Sequence, residues 1–488
     1  MGGDPYNGLQ PPGLWRHFAA LNGIPRGSGR EGAARDYVRE VAESAGAEVS
    51  QDTYGNVLVR AGARSNATAF QPVAVQTHLD MVCVAAAGVV HDFDRDPIVP
   101  CRDGDRISAQ GTTLGADNGI GVAAALALLT ENDLACGPLE LLFTVEEEIG
   151  LLGALHFDTS LLQAGSLINL DSEDDKALTV GCAGGTEITL RLPLERTRLD
   201  AGWDCVELRV SGLSGGHSGV QIHEHRANAT KLLVSSLKRL IDGGVDLRLA
   251  SVVAGSAHNA IPTEGTALFA VPSGGIAQAA TIAAQVTAEL RREWGEDEPG
   301  LSIELDPADS PCPSVADRTI SVGLLDLLRD LPHGVIAMSS RFEGTVATSA
   351  NLALVRTEEE TVDILISIRG LSSDELDATV RQVKLLGERA GASSEVTGSY
   401  PGWEPREGSP LAAAAAAAYE RIHGGAPAME VVHGGLECGV LVASRPELDA
   451  ISFGPLIREA HTPQEHVYAG TVTDTWLLLL ALLVDTSA

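Results

Sequence analysis

Basic residues are scarce in this sequence of 488 residues. Lys and Arg together number 34 against 66 Asp and Glu, so the formal net charge is -32 at pH 7. Nucleic acids and anionic membranes are bound through clustered Lys and Arg side chains. We therefore expect neither a nucleic acid nor a membrane surface as a partner.

Long apolar runs and paired cysteines are also missing. The apolar run Leu477–Val484 is far shorter than the roughly 20 residues that a membrane-spanning helix needs. The seven cysteines are scattered, and none forms a Cys-x-x-Cys pair, a pattern that fits reduced thiols in the cytoplasm. Met1–Tyr6 has no basic segment followed by an apolar one, so no targeting sequence is predicted.

The apolar content is nevertheless ample for a folded protein. Hydrophobic residues make up 44% of the chain, and its length exceeds what one core usually holds. We expect a globular protein of two or three domains.

Short apolar runs without alternation characterise the first 170 residues. Buried strands of this kind, separated by helices, predict an α/β domain with a mainly parallel sheet. The predicted strands are Asn56–Val59, Val73–Val75, Leu139–Val145 and Leu167–Leu170, and the predicted helices are Leu14–Ala20, Glu31–Ala45 and Ile120–Leu129.

Polar side chains with metal-binding chemistry follow three of these strands. His78 comes after the second, Glu147 and Glu148 after the third, and Asp171 after the fourth. Ligands of open α/β sheets bind beyond the carboxyl ends of the strands, so these side chains are expected to converge on one crevice.

Each of these signals has a plainer alternative when taken alone. His78 and Asp80 lie two residues apart, which lets Asp80 orient the imidazole towards a metal, but an isolated His-x-Asp pair is more often structural. Asp117 stands where a helix begins and could simply cap it. An isolated acidic triplet such as Glu146–Glu148 is more often a solvated turn.

From about residue 187 the pattern changes to alternating strands and amphipathic helices. We predict an inserted α+β domain over 187–396, with the first domain formed by 1–186 and 397–488 and a return linker at Gly398–Trp403. Ser256–Ala260 and Thr348–Leu352 are similar in sequence, which suggests a duplicated unit within the insertion.

Three segments resemble a known family. They are Gln76–Val82, Gly111–Gly119 and Leu436–Gly439, and the match extends over nearly the whole chain. Together with the acidic and histidine residues above and with His461, they resemble the aminoacyl-histidine dipeptidase branch of the carnosinase- and aminoacylase-like di-zinc metallopeptidases. In that family the inserted domain acts as a lid over the catalytic domain.

The resemblance implies a centre of two divalent metal ions. His78 and Asp171 would hold one ion, Glu148 and His461 the other, and Asp117 would bridge both. Imidazole and carboxylate ligands suit zinc best, with manganese or cobalt as alternatives. The resemblance also implies a cis peptide bond between Asp117 and Asn118.

The resemblance further assigns catalytic and substrate-binding roles. Glu147 would be the general base, Asp80 would orient His78, and His217 of the glycine-rich segment Gly215–Gly219 would steady the oxyanion from the lid. Asn259 and Arg369 would hold the substrate's C-terminal carboxylate, and Glu437 its free amino group. Glu146 departs from the family pattern, because an uncharged residue is usual there, and its role is left open.

The sequence thus predicts a cytoplasmic metallo-dipeptidase that hydrolyses unblocked dipeptides, Xaa-His among them. One alternative is another amidohydrolase of the same superfamily, such as an aminoacylase or a tripeptidase. A second is a non-catalytic metal-binding scaffold, against which the complete ligand set and Glu147 argue. A small peptide is the expected partner, and a homodimer is left open.

Overall fold

The chain divides into two compact units. The computed structural model describes residues 4–64, 71–131, 134, 136–219, 221–308, 312 and 314–486. The first unit comprises Met1–Cys182 and Tyr400–Ala488, and the second comprises Ala183–Ser399.

The first unit begins with three long helices, one short helix and eight strands. In chain order these are α1 (Pro12–Asn22), α2 (Gly32–Ser44), β1 (Glu48–Gln51), β2 (Val57–Ala61), β3 (Val73–His78), β4 (Pro100–Asp103), β5 (Arg106–Ala109), α3 (Ala116–Thr130), β6 (Leu139–Thr144), α4 (Leu152–His156), a 3₁₀ turn (Thr159–Leu161), β7 (Ser166–Asn169) and β8 (Ala177–Cys182).

The described residues of the second unit form strands and four helices. They are β9 (Gly184–Pro193), β10 (Arg196–Arg198), β11 (Trp203–Ser211), α5 (Ala229–Asp242), β12 (Arg248–Ala254), β13 (Gly265–Pro272), α6 (Ile276–Trp294), β14 (Ser302–Pro307), β15 (Ser314–Ala316), α7 (Arg318–Asp330), β16 (Gly334–Met338), β17 (Val346–Thr357), β18 (Thr361–Gly370), α8 (Ser373–Ala390) and β19 (Ser393–Tyr400).

The chain then returns to the first unit. Its last elements are α9 (Pro410–His423), β20 (Ala428–Val432), α10 (Glu437–Ser444), β21 (Asp449–Ser452), β22 (Ile457–Arg458), β23 (His466–Tyr468) and α11 (Ala469–Asp485). No helix in the described part of the chain is both long and apolar enough to cross a membrane.

An eight-stranded mixed sheet is the centre of the first unit. Its order is β1-β2-β6-β3-β7-β21-β8-β20, and the four central strands β6, β3, β7 and β21 run parallel. Every residue of β3 and β6 is buried, which explains why their sequences do not alternate. The α/β prediction with a mainly parallel sheet is confirmed at the sheet centre, and β1 and β2 add an antiparallel edge.

An antiparallel sheet forms most of the second unit. Its order is β14-β11-β13-β12-β17-β18-β9-β19, with β16 paired to β17. Residues of β18 alternate between buried and half-buried over most of its length, as expected for a sheet with one face on a core. This arrangement agrees with the predicted α+β insertion.

Three details differ from the sequence-based expectations. Positions 187 and 397, predicted as domain boundaries, lie inside β9 and β19, and the predicted return linker likewise begins within β19. Thr348–Leu352 lies within β17, whereas Ser256–Ala260 lies in the loop after β12, so the two similar segments occupy different structural positions. Their likeness therefore does not reflect equivalent places in two repeats.

Candidate metal centre

The ends of three parallel strands bring the predicted ligands of the first unit together. His78 is the last residue of β3, Glu147 and Glu148 lie in the turn after β6, and Asp171 follows β7 by two residues. Adjacent parallel strands end at the same edge of the sheet, so side chains distant in sequence meet there. His461 reaches the same place from the loop between β22 and β23.

Asp117 lies between two histidines. Its Oδ1 is 3.0 Å from Nε2 of His78, and its Oδ2 is 3.2 Å from Nε2 of His461. A second carboxylate accompanies each histidine, because Asp171 Oδ1 lies 3.1 Å from His78 Nε2 and Glu148 Oε2 lies 3.1 Å from His461 Nε2. The structure therefore contains two histidine–carboxylate pairs that share one carboxylate.

The peptide bond between Asp117 and Asn118 is cis, as the resemblance implied. The backbone of these two residues is not helical, although they fall within α3, so the regular turns of the helix begin close to the predicted Ile120.

Asp80 connects His78 to the turn that carries the two glutamates. Its Oδ1 lies 3.3 Å from His78 Nδ1 and accepts the backbone N–H of Glu147 at 3.0 Å. Its Oδ2 accepts the N–H of Glu148 at 3.1 Å and the Ser28 hydroxyl at 2.8 Å. One carboxylate thus faces the imidazole and holds the acidic turn in place.

Glu146 points to a different set of partners. Its Oε2 accepts the Tyr54 hydroxyl at 2.7 Å, and its N–H donates to Glu31 at 3.1 Å. The ring of Tyr54 stacks on His156 with 4.1 Å between centroids. With φ of 53°, Glu146 adopts the left-handed conformation, which lets it diverge from Glu147 and Glu148.

The charged groups around Asp117 strongly shift one another's pKa values. Burial alone would raise the pKa of Asp117, but hydrogen bonds from His461 and His78 outweigh that effect and lower it. Hydrogen bonds to Asp117 and Glu148 raise the pKa of His461 to about 11. Burial and the charge of Asp117 raise the pKa of Glu148 to about 7. The cluster holds more carboxylate charge than its two imidazoles balance.

Glu147 and Glu437 extend this acidic cluster. Burial, reinforced by the charge of Glu148, raises the pKa of Glu147 well above its usual range. Burial also raises the pKa of Glu437 to about 7. Glu437 begins α10 and is fully buried, and its Oε2 accepts hydrogen bonds from the Gln76 amide and, at 2.7 Å, from the Thr144 hydroxyl.

The donor set fits divalent metal ions. Two carboxylates lie close to His78 Nε2, but this nitrogen carries at most one proton and so can donate to only one of them. In addition, Glu148 Oε1 is buried with no hydrogen-bond partner in the described structure. His78, Asp117 and Glu148 each offer a ligand atom within 4.8 Å of the others. Cations between these groups would satisfy the unpaired oxygen and relieve the repulsion between carboxylates.

The three predicted lid residues all lie in the second unit. The loops of His217 and Asn259 are joined, because the N–H of Ser218 donates to the Asn259 carbonyl at 2.8 Å and His217 bridges to Ala260. The His217 Nδ1 accepts the N–H of Gly219 at 3.1 Å. Arg369 lies in β18 opposite Ser349. A hydrogen bond to Glu187 raises the pKa of His258, the neighbour of Asn259, and outweighs the opposing effects of burial and of the Arg369 charge.

Comparisons with known proteins agree with this geometry. The model of peptidase family M20/M25/M40 matches residues 74–484. The chain belongs to this family. It is 38% identical to the cytosol non-specific dipeptidase of Escherichia coli (strain K12), over 98% of this chain and 99% of that protein.

Solved structures of the same fold are also similar to this M20 chain. The aminoacylhistidine dipeptidase of Vibrio alginolyticus matches with a TM-score of 0.84 and 36% identity, covering 99% of this chain and 98% of that one. A tripeptidase from Staphylococcus aureus matches with a TM-score of 0.57 and 14% identity over 98% and 99% of the two chains. At that identity the second match shows the fold alone.

Two further residues support the centre of this M20 chain, and no sequence motif pointed to them. Glu465 is buried, and its carboxylate accepts the backbone N–H groups of Leu114, Gly115, Ala116 and Asp117 at 2.7, 3.0, 2.7 and 3.4 Å. Arg26 is buried and donates to the carbonyls of Leu79, Asp80 and Gly115. The only hint in the sequence was that Glu465 follows His461 by four residues.

Proposed function

We propose that this chain is a metal-dependent dipeptidase that hydrolyses the peptide bond of unblocked dipeptides, Xaa-His among them. The observation that carries the proposal is the Asp117 carboxylate shared between two histidine–carboxylate pairs. The names of two similar proteins, a cytosol non-specific dipeptidase and an aminoacylhistidine dipeptidase, support the substrate class. The seven free cysteines and the first of these names support a cytoplasmic location.

The geometry supports the ligand set that the resemblance implied. His78 and Asp171 would hold one ion and Glu148 and His461 the other, with Asp117 shared between them. When bound, the two ions supply a water of lowered pKa and a polarised substrate carbonyl. Imidazole with carboxylate suits zinc, and manganese or cobalt would also accept these ligands.

Glu147 serves as the general base in this proposal. Its neighbour Glu148 is engaged with His461, whereas the raised pKa of Glu147 suits a group that takes a proton from water and returns it to the leaving amine. Asp80 supports both roles, because it holds the backbone N–H groups of the two glutamates and faces His78.

Glu437 is the proposed receptor of the substrate's free amino group. Its Oε1 is buried and has no hydrogen-bond partner in the described structure, so a carboxylate oxygen is available for an ammonium group. Gln76 and Thr144 hold the other oxygen in place. A free-amine receptor favours an unblocked dipeptide over an acylated one.

The second unit is proposed to act as the lid. His217 would donate to the oxyanion, and Asn259 and Arg369 would bind the substrate's C-terminal carboxylate. The joined loops of His217 and Asn259 support a common site, and the planar guanidinium of Arg369 suits bidentate binding of a carboxylate.

A substrate panel tests the proposed function. We expect chelation to abolish hydrolysis of dipeptides and one added divalent ion to restore it, with tripeptides and N-acetylated dipeptides cleaved more slowly. Full activity of the metal-free protein would contradict the mechanism. A preference for acetylated substrates would favour an aminoacylase, a preference for tripeptides would favour a tripeptidase, and metal binding without hydrolysis would favour a scaffold.

A further inference from the structure

We propose that a cavity beside Glu148 in the first unit receives one side chain of the dipeptide and selects for an uncharged, apolar one. The inference rests on the proposed function. The cavity measures about 370 Å³ and is lined by Gly27, Ser28, Met81, Cys83, Phe93 and Glu148, among others. We call it the Phe93 cavity.

The Phe93 cavity adjoins the catalytic machinery directly. Glu148 forms part of its wall and also contacts His461 in the metal centre. Ser28 forms another part and donates its hydroxyl to Asp80. A peptide bond held at the metals therefore has this cavity within reach of its flanking residues.

The walls are held in place by backbone hydrogen bonds. The segment at Gly27 pairs with Met81, whose N–H donates to the Arg26 carbonyl at 3.2 Å, and Arg30 closes a turn onto Gly27 at 2.8 Å. The part of the wall formed by Phe93 and Asp94 lies in a turn in which the Asp92 carbonyl accepts two backbone N–H groups. The cavity is thus largely formed before a substrate binds, as is usual for small-molecule sites.

The charge around the Phe93 cavity decides which side chain fits. Arg30 and Asp94 lie on its wall and form an ion pair with each other. Glu148 contacts His461 and is a proposed metal ligand, and Met81, Val82, Phe93 and Ile149 supply the larger apolar side chains of the wall. A charged side chain would gain no free counter-ion there, whereas an apolar one would bury surface against these side chains.

Cys83 offers a way to fill the cavity. Residue 83 is exposed, and its side chain lines the cavity with the sulfur beside Gly27, 3.1 Å from where a Cβ would stand on that glycine. In Cys83→Trp we expect the indole to occupy the cavity. Val90 is fully exposed on the same stretch of chain, and Val90→Trp is the matched control.

The experiment compares kcat/KM for Gly-Gly, Leu-Gly and Gly-Leu in the metal-loaded enzyme, with metal affinity measured in parallel. We expect Cys83→Trp to lower kcat/KM for at least one leucine peptide about tenfold more than for Gly-Gly, with metal affinity unchanged. Val90→Trp should leave all three peptides unchanged. An equal loss on the three peptides would overturn the subsite.

A second measurement avoids the need for Cys83→Trp to fold. The wild-type enzyme is alkylated with N-ethylmaleimide, the modified position is identified by peptide mass spectrometry, and the three dipeptides are assayed before and after. Alkylation at Cys83 should depress the leucine peptides selectively, and the same treatment of Cys83→Ser should not change its rates. Uniform depression would contradict the subsite, and no hydrolysis of any dipeptide by the untreated enzyme would contradict the proposed function instead.

Discussion

At the scale of single residues, the acidic turn after β6 shows how neighbours in sequence acquire different chemistry. Tyr54 binds Glu146, Glu148 contacts His461, and Glu147 is half-buried with its backbone held by Asp80. The left-handed backbone at Glu146 and the two hydrogen bonds to Asp80 separate the three side chains. Composition cannot reveal this division, because three consecutive glutamates look alike in sequence.

Glu147→Gln and Glu148→Gln should therefore have different effects. An amide at 147 cannot accept a proton from water, so we expect kcat to fall by roughly two orders of magnitude or more with metal still bound. Glu148→Gln removes the partner of His461 and should release metal. Metal content by mass spectrometry, measured beside kcat, separates the two, and retention of metal by Glu148→Gln with its loss from Glu147→Gln would reverse the assignment.

The role proposed for Arg369 can be tested by removing the negative charge from the C-terminus of the dipeptide. We expect Arg369→Ala to raise KM for free dipeptides and to matter far less for dipeptide amides, whose neutral C-terminus offers no carboxylate. The amide series is the internal control, because a general loss of folding would affect both. Equal losses on dipeptides and their amides would show that Arg369 does not bind the carboxylate.

At the scale of secondary structure, the sequence predicted the elements that deliver ligands better than those that support them. The buried runs ending at His78, Thr144 and Asn169 are visible as apolar stretches followed by polar residues, so three ligand positions follow from strand ends. Glu465 accepts the backbone N–H groups at the start of α3, although it lies about 350 residues away in sequence. Only tertiary structure shows that contact, and the same is true of buried Arg26.

Glu465 should matter because it fixes the segment that carries the bridging Asp117. Its two oxygens accept four consecutive backbone N–H groups, from Leu114 to Asp117, where the chain enters α3. Glu465→Gln keeps the size but loses the charge, so we expect metal affinity to fall by about tenfold or more, and hydrogen exchange to rise at 114–119. Competition with a chelating dye measures the affinity, and the exposed Glu447→Gln is the control. Unchanged affinity and exchange would leave Glu465 with no role in the centre.

At the scale of the whole molecule, separate hydrophobic cores in the two units support one strongly acidic chain. One core, containing Trp15 and Phe18, lies in the first unit, and another, containing Phe269, lies in the second. A net charge of -32 favours solubility but adds self-repulsion, which declines as carboxylates take up protons. Each unit also contains a largely buried histidine. Its protonation destabilises the fold on acidification, whereas protonation of the carboxylates reduces the repulsion.

These histidines are His17 and His333. Burial lowers the pKa of each to about 4 from an ordinary value of 6.5. His17 makes hydrogen bonds to the hydroxyls of Tyr37 and Thr130 at 2.7 and 3.0 Å, and His333 Nδ1 lies 3.2 Å from the side-chain amide of Asn228. Because Asn228 can only donate at that nitrogen, His333 Nδ1 is unprotonated in the folded state.

Both units should therefore lose stability as the pH falls from about 6.5 towards 4. In that window the unfolded chain binds protons at His17 and His333 that the folded chain does not, so the free energy of unfolding rises with pH and falls on acidification. Below pH 4 both states are protonated and this contribution stops changing. We expect Tm, measured by calorimetry from pH 7 to pH 4, to fall less steeply in His17→Gln and in His333→Gln, each in the transition of its own unit. The slope of Tm against pH is the readout, because either substitution also changes the absolute Tm. Parallel curves for variants and wild type would show that these histidines are already protonated in the folded protein.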